Sequence, residues 1–313
     1  MKRAFVFPGQ GSQAPGMGRE LAEAFGSARE LFEEIDDALS QNLSRLMFEG
    51  PESELMLTEN AQPALLAVSL AAMRVIEAEA GFDAAWRIAY VAGHSLGEYS
   101  ALAAARAVAV GDAARLVKRR GQAMQKAVPV GEGAMAALLG LDIDAAREVA
   151  AEAAGGGVCD VANDNCPGQL VVSGHAGAVE RAVALAVPRG GRRSIMLPVS
   201  APFHCKLMAP VAEVMAGALD EISLTQPLVP IVPNVTAAAT RDVDEIRELL
   251  VEQVTRMVRW RETVLLFAAN EVEEIVEIGA GRVLSGLNRR ISREIATLSV
   301  GAPAELDELI KRL

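Results

Sequence analysis

Cysteine is scarce. The 313-residue chain carries it only at positions 159, 166 and 205. That odd, sparse set has no metal-ligand spacing, so no metal site is expected; reduced thiols and a cytoplasmic protein are. Histidine is as scarce, with three residues in all. Aromatic residues make up only 4% of the chain. Ala, Val and Leu carry the apolar load instead, which suits a helix-rich α/β protein. Positive charge is in deficit. The formal net charge of −11 argues against a nucleic-acid partner. Long apolar runs are missing too. The stretch at residues 1–8 is too short for a signal peptide. The run at 65–73 is stopped by Arg74, so no membrane span is expected. There is no internal repeat and no low-complexity tract. What remains is a chain with 51% hydrophobic residues, long enough for one large domain or for a domain with an insert.

The stretch Ile88-Ala89-Tyr90-Val91-Ala92-Gly93-His94-Ser95-Leu96-Gly97-Glu98-Tyr99 organises the rest. Residues 88–92 predict a buried strand, and the Ala-rich run after Ser95 predicts a helix. Between them lies Gly93-x-Ser95-x-Gly97, the pattern of a nucleophile elbow. Side chains at the two glycines would collide with neighbouring backbone in so sharp a turn. Ser95 would sit at a helix N-terminus, where free N–H groups and the positive dipole end favour an oxyanion.

A first strand is expected at residues 4–7, followed by a Gly-rich loop, Gly9-Gln10-Gly11-Ser12-Gln13. This imitates a dinucleotide fingerprint. The acidic residue such a site needs would be Glu33 or Glu34, and both lie in a helical pattern, so the cofactor reading is rejected. A loop exposing backbone N–H groups remains. A helix is predicted over 58–80, ending at Gly81, and another opens at Gly111-Asp112 with Asp112 as N-cap. From Gly131 the texture changes. A β-α-β-β-α-β order follows as far as residue 199, matching a small ferredoxin-like unit. We therefore expect an inserted subdomain at 129–199 within a discontinuous large domain at 1–128 and 200–313. Residues 228–233 and 274–278 are read as further strands. The alternation argues for a parallel sheet.

The helix opened by Gly111-Asp112 is informative. Ala113, Leu116, Val117, Met124 and Ala127 share one face, and Arg120 falls on it. Lys118 and Arg119 look solvated. A guanidinium turned into apolar surroundings needs an anion, unless it is a structural salt bridge or a snorkelling side chain. Ser95, for its part, needs a base. His94 adjoins it and should point away. His175 reads as a loop residue of the insert. His204, in a loop between Pro202 and Pro210, follows Ser95 as the base does in elbow hydrolases and is favoured. No acidic third member stands out, which leaves a Ser–His dyad.

Together these residues resemble the malonyl-CoA:acyl carrier protein transacylase family of fatty acid synthesis. The resemblance is carried by Gly9-Gln10-Gly11-Ser12-Gln13, Gln62-Pro63-Ala64-Leu65, Gly93-His94-Ser95-Leu96-Gly97-Glu98 and Arg120-Gly121. It continues through Asn163-x-Asn165, Pro202-Phe203-His204, Gln253 with Val258-Arg259-Trp260, and Glu277-Ile278-Gly279-Ala280-Gly281. It implies an α/β-hydrolase-like large subdomain with a parallel sheet and an inserted ferredoxin-like small subdomain. It implies Ser95 as the acyl-carrying nucleophile, His204 as its base, and an oxyanion hole from the N–H groups of Gln10 and Leu96. Arg120 would hold the malonyl carboxylate, Gln62 would line the pocket, and the Gln253 carbonyl would orient the imidazole. Phe203 would crowd the acyl α-carbon. One departure is Met257, where many relatives have proline. The expected partners are malonyl-CoA and acyl carrier protein, with no cofactor, no membrane and a monomeric protein. The rival readings are a serine thioesterase or esterase, a non-catalytic module that docks a carrier protein, and the same transfer serving a polyketide pathway.

Overall fold

Arg3–Phe7 forms β1, and all five residues are buried. An apolar run without alternation suits a central parallel strand covered on both faces. In the computed structural model, which describes residues 1–81 and 88–313, β1 is followed by α1 (Arg19–Ala24), α2 (Gly26–Leu39), α3 (Leu43–Glu49), α4 (Glu52–Leu55) and α5 (Thr58–Ala80). Next come β2 (Tyr90–Gly93), α6 (Gly97–Ala104) and α7 (Val110–Ala127). The small unit is β3 (Gly133–Leu139), α8 (Ile143–Ala154), β4 (Cys159–Cys166), β5 (Gln169–His175), α9 (Ala176–Ala186) and β6 (Arg193–Met196). A 3-10 turn at Lys206–Met208 leads to α10 (Ala209–Asp220) and α11 (Val243–Glu252). The chain closes with α12 (Trp260–Ala269), β7 (Glu274–Ile278), α13 (Val283–Ile291), β8 (Ala296–Val300) and α14 (Pro303–Ile310).

Two sheets result. The first has the order β2-β1-β7-β8 and is parallel throughout. The second has the order β4-β5-β3-β6 and is antiparallel throughout, as a ferredoxin-like unit requires. The register of the first sheet positions the site. Phe7 pairs with Gly93, so the Gly9–Gln10 loop and the elbow leave the same carboxyl edge side by side. Loops beyond the carboxyl ends of parallel strands are where such sheets bind ligands. Buried charges pin the strand starts. Arg3 Nε meets Glu274 at 2.7 Å, and Glu274 also takes Arg312. Glu277 accepts the N–H groups of Leu284 and Ser285 at 2.9 and 2.7 Å, which satisfies the start of α13.

The main core packs α2, α5, α6 and α7 against the first sheet, with a separate core inside the small unit. Helix α5 is long and apolar enough to span a membrane, contrary to the expectation that Arg74 prevents this. Its residues are nearly all buried within the protein, because it is the central core helix. Three other expectations also change. Helix α7 starts at Val110 with Ala109 as N-cap, and Asp112 lies inside its first turn, accepting from Arg115 at 2.7 Å. Lys118 is not solvated; it donates to Gln41 and Asn60, each at 2.9 Å. Residues 228–233 make no continuous strand. Ile231 alone bridges Val91 and Thr240, since Pro230 and Pro233 lack the N–H a ladder needs.

Candidate active site

The elbow glycines are steric necessities. A Cβ on Gly93 would lie 1.8 Å from the Gly97 carbonyl carbon, and one on Gly97 would lie 2.2 Å from the Phe7 oxygen. Between them Ser95 takes φ 54°, a left-handed conformation that costs a non-glycine residue about 1–3 kcal/mol. Asn234 holds this turn from outside. Its Oδ1 accepts the Ser95 N–H at 2.7 Å, and its Nδ2 donates to the Gly93 carbonyl at 2.6 Å.

Ser95 Oγ lies 2.8 Å from His204 Nε2. His204 Nδ1 lies 2.8 Å from the backbone oxygen of Gln253. A carbonyl only accepts, so Nδ1 carries the proton and Nε2 offers its lone pair to the Ser95 hydroxyl. His204 is 3% exposed and also takes positive φ, 57°. Burial, and after it the charge of Arg120, pushes its imidazole down to about 3; the bond to Gln253 pulls the other way. The ring is therefore neutral near pH 7, the state a base requires.

Arg120 is 1% exposed. It reaches this point because α7 lies hard against the first turn of α5. A Cβ on Gly121 would be 2.6 Å from Glu59 Cα, so only glycine permits the approach. Its Nη1 donates to Gln62 Oε1 at 2.8 Å, and its Nη2 donates to Gln253 Oε1 at 2.9 Å and to Ser95 Oγ at 3.1 Å. Its Nε has no partner, and among the described residues no carboxylate comes within 4.0 Å of the guanidinium. The salt-bridge alternative for Arg120 thus finds no acid. Its ring neighbour is Tyr99, 5.7 Å away.

Glu98 stands behind the elbow, 1% exposed. Its Oε2 accepts the Asn234 N–H at 2.9 Å and Gln253 Nε2 at 3.0 Å. Burial pushes its carboxyl up to about 7, against those hydrogen bonds and the Arg120 charge, which lower it. Gln253 Nε2 also donates to the Ser95 carbonyl at 3.0 Å. The sequence reading missed the roles of Glu98 and Asn234. For Glu98 a signal existed: it opens a helix buried all round, the same clue that marked Arg120.

The remaining residues lie around this cluster. A Cβ on Gly9 would be 2.7 Å from the His94 oxygen, so the Gly9–Gln10 loop abuts the elbow. Gln10 is exposed, and its Oε1 accepts from Thr58 Oγ1 at 2.7 Å. Among the described residues, the backbone N–H groups of Gln10 and Leu96 donate to no protein acceptor. Phe203 is half-buried and packs against the edges of two cores. His94 turns away from Ser95, with Nε2 2.9 Å from Asn165 Oδ1. His175, at the end of β5, accepts the Val158 N–H at 2.9 Å, outside the cluster. Met257 lines a cavity of about 680 Å³ that also touches His204, Lys206 and Asp160. Its neighbour Val258 is bonded to β4 on both sides, through Ala162 and Asp164 at 2.9 Å each. No metal-ligand cluster occurs among the described residues.

A parallel α/β sheet, a serine on a nucleophile elbow and a neutral histidine within hydrogen-bond reach define a protein of the serine acyl-transfer or hydrolase class. The chain belongs, within that class, to the acyl transferase domain family, which matches residues 4–300. It is 45% identical over its whole length to a malonyl CoA-acyl carrier protein transacylase of Bacillus subtilis, covering 97% of that protein. Its structure superposes with a TM-score of 0.97 on an acyl-carrier-protein-S-malonyltransferase from Bartonella henselae, at 52% identity and covering 100% and 99% of the two chains. A type II PKS acyl-carrier protein in complex with its malonyl-transacylase contains a chain 41% identical, with a TM-score of 0.96 and 100% of both chains covered.

Proposed function

We propose that this protein moves a malonyl group from malonyl-CoA to the phosphopantetheine thiol of acyl carrier protein, through a malonyl-Ser95 intermediate, and so supplies fatty acid synthesis. The observation that carries the reading is Arg120. Among the described residues it is a buried cation with no carboxylate partner, and its Nη2 is 3.1 Å from the Ser95 hydroxyl. An acyl group on Ser95 that bears its own carboxylate would supply the missing anion. His204 takes the Ser95 proton as Oγ attacks the thioester carbonyl. The N–H groups of Gln10 and Leu96 receive the oxyanion, a role supported by their lack of other acceptors. His204 then protonates the departing CoA thiolate. The carrier thiol reverses these steps, giving ping-pong kinetics.

Gln253 orients His204 through its carbonyl and Arg120 through its side chain, while Gln62 closes the other side of the guanidinium. Phe203 limits space beside the acyl α-carbon. This chemistry needs no cofactor, and every group in it comes from one chain, so a monomer suffices. Three buried free cysteines fit a reducing cytoplasm.

Radiolabelled malonyl-CoA with and without carrier protein tests the reading. Label on the protein, passed on to the carrier, is expected. Free malonate would make this a hydrolase, and no label at all would leave a docking module. Intact mass of Ser95→Ala should show no malonyl adduct, and an adduct in that variant would place the nucleophile elsewhere. Transfer to a polyketide carrier in preference to a fatty acid carrier would move the enzyme to the other pathway.

A further inference from the structure

Ser95, His204 and Arg120 come from three separate stretches of chain, and two of the residues that hold them, Asn234 and Gln253, lie outside helices and strands. Something must keep those two in register, because loop residues do not hold a catalytic geometry by themselves. Each gives one N–H to a shared acceptor atom. Glu98 Oε2 accepts the Asn234 backbone N–H at 2.9 Å and Gln253 Nε2 at 3.0 Å. Asn234 also holds the Ser95 N–H and the Gly93 carbonyl, the two ends of the strained turn, and its own carbonyl accepts the Arg259 N–H at 3.0 Å. Gln253 caps the end of α11 through its N–H to the Leu249 carbonyl at 2.8 Å, and it also meets His204 Nδ1, Arg120 Nη2 and the Ser95 carbonyl. Glu98 itself sits in the first turn of α6, one residue past the second elbow glycine, in a helix buried along nearly its whole length.

We infer that Glu98 is a positioning residue: its Oε2 ties Asn234 to Gln253 and thereby sets the alignment of the Ser95 hydroxyl with both His204 and Arg120. It touches no substrate and transfers no proton in the reaction. Its place resembles that of the acid in a Ser–His–acid triad, moved one residue outward, with the Gln253 carbonyl between it and the imidazole. This inference rests on the reading of Ser95 as nucleophile given above.

The test compares native protein with Ser95→Ala, Glu98→Gln and Glu98→Asp. Measured at pH 8, where the Glu98 carboxyl is largely ionised, glutamine keeps the size but loses the charge-assisted acceptor, and aspartate keeps the charge but draws the oxygen back. Pre-steady-state CoA release from malonyl-CoA measures acylation, and inactivation by a sulfonyl fluoride measures Ser95 reactivity without using Arg120. Both Glu98 variants should acylate about ten- to a hundred-fold more slowly, with the KM for malonyl-CoA held within about two-fold. Sulfonylation should slow in step. A folded Glu98 variant that acylates and sulfonylates within two-fold of native overturns the inference. So does failure of both variants to fold, which would make Glu98 a folding residue only. If instead Ser95→Ala still releases CoA at the native rate, the nucleophile reading falls, and that result is separate from any behaviour of Glu98.

Discussion

Replacing Arg120 with alanine should change what the enzyme accepts more than how fast it can work. The guanidinium has five N–H groups. Three are taken by Gln62, Gln253 and Ser95, leaving the Nε–H and one Nη–H. A malonyl carboxylate bound there would displace the weakest present bond, the 3.1 Å contact to Ser95 Oγ, and pair the released Nη2–H with an adjacent free N–H. Removing one partner of a buried, hydrogen-bonded ion pair costs about 3–5 kcal/mol. The lower end applies here, because neutral oxygens already hold Arg120 and offset part of its burial. About 3 kcal/mol is about a hundred-fold in kcat/KM. Acetyl-CoA has no carboxylate to lose, and Ser95, His204 and the oxyanion donors stay in place, so its kcat/KM should hold or rise. The malonyl-to-acetyl ratio therefore falls about a hundred-fold in Arg120→Ala. Arg120→Lys keeps the charge without the planar fork and should fall between. The assay is CoA release from each thioester across the three proteins. A ratio unchanged within about three-fold in Arg120→Ala would refute the reasoning, whatever happened to the absolute rates.

Four further outcomes are expected. His204→Ala should slow acylation by about 10²–10⁴ while His175→Ala leaves it unchanged, and the reverse order in a CoA-release assay would reassign the base. Gly97→Ala forces a Cβ to within 2.2 Å of the Phe7 oxygen and should cost about 3 kcal/mol or more in chemical denaturation; a loss under about 1 kcal/mol would show that the elbow can relax. Two opposed groups at the site contribute to acid stability, beside His94, whose pKa burial lowers, and Glu277, whose pKa burial raises. His204, lowered to about 3, contributes stability that is full above pH 6.5 and falls as pH drops towards 3, whereas Glu98, raised to about 7, contributes stability that is full below 4.5 and falls as pH rises towards 7. Between pH 6.5 and 4.5 the two slopes cancel, so Glu98→Gln should lose about 3 kcal/mol relative to native over that span, and parallel curves would contradict the assignment. On the surface, Arg189 is already paired with Glu148 and Glu152, and Arg290 donates to Gln169 and the Pro167 carbonyl, while Arg192 and Arg193, and Arg289 and Arg293 on the other subdomain, stand exposed to an acidic carrier. Charge reversal in either remaining cluster should raise the KM for carrier protein more than that for malonyl-CoA; equal effects on both would remove that cluster.

Much of this architecture can be read from the chain because a few residues allow only one arrangement. Gly93-x-Ser95-x-Gly97 after an apolar run is legible as an elbow, since no other residue could occupy either glycine position. Arg120 is legible because helical spacing puts a guanidinium among Leu116, Val117 and Met124. What spacing cannot convey is a contact between distant loops. Asn234 follows a proline-bounded stretch that looks like a strand, yet it is held 2.7 Å from the Ser95 N–H across 139 positions. Periodicity also misjudged the start of α7. Asp112 is a good capping residue, but Ala109 already has extended ψ, 148°, and the helix begins at the next residue. Strand β8 went unread because its five residues carry little alternation of their own and take their place from pairing with β7.

Strand β1 lies between β2 and β7, and this order has a consequence for synthesis on the ribosome. β1 is an inner strand that precedes both of its neighbours in the chain, and one of them, β7, follows the other, β2, only after a long interval. At about 5–20 residues per second, the roughly 180 residues between Gly93 and Glu274 take about 10–40 s to emerge. During that interval β1 can pair with β2 on one side only, and Phe5 and Phe7 await the rest of their core. The small unit closes its own sheet within residues 133–196 and can be complete before the large one is. A pause in translation anywhere between β2 and β7 therefore leaves an open backbone edge on β1, available to another nascent chain until Glu274–Ile278 arrives to cover it.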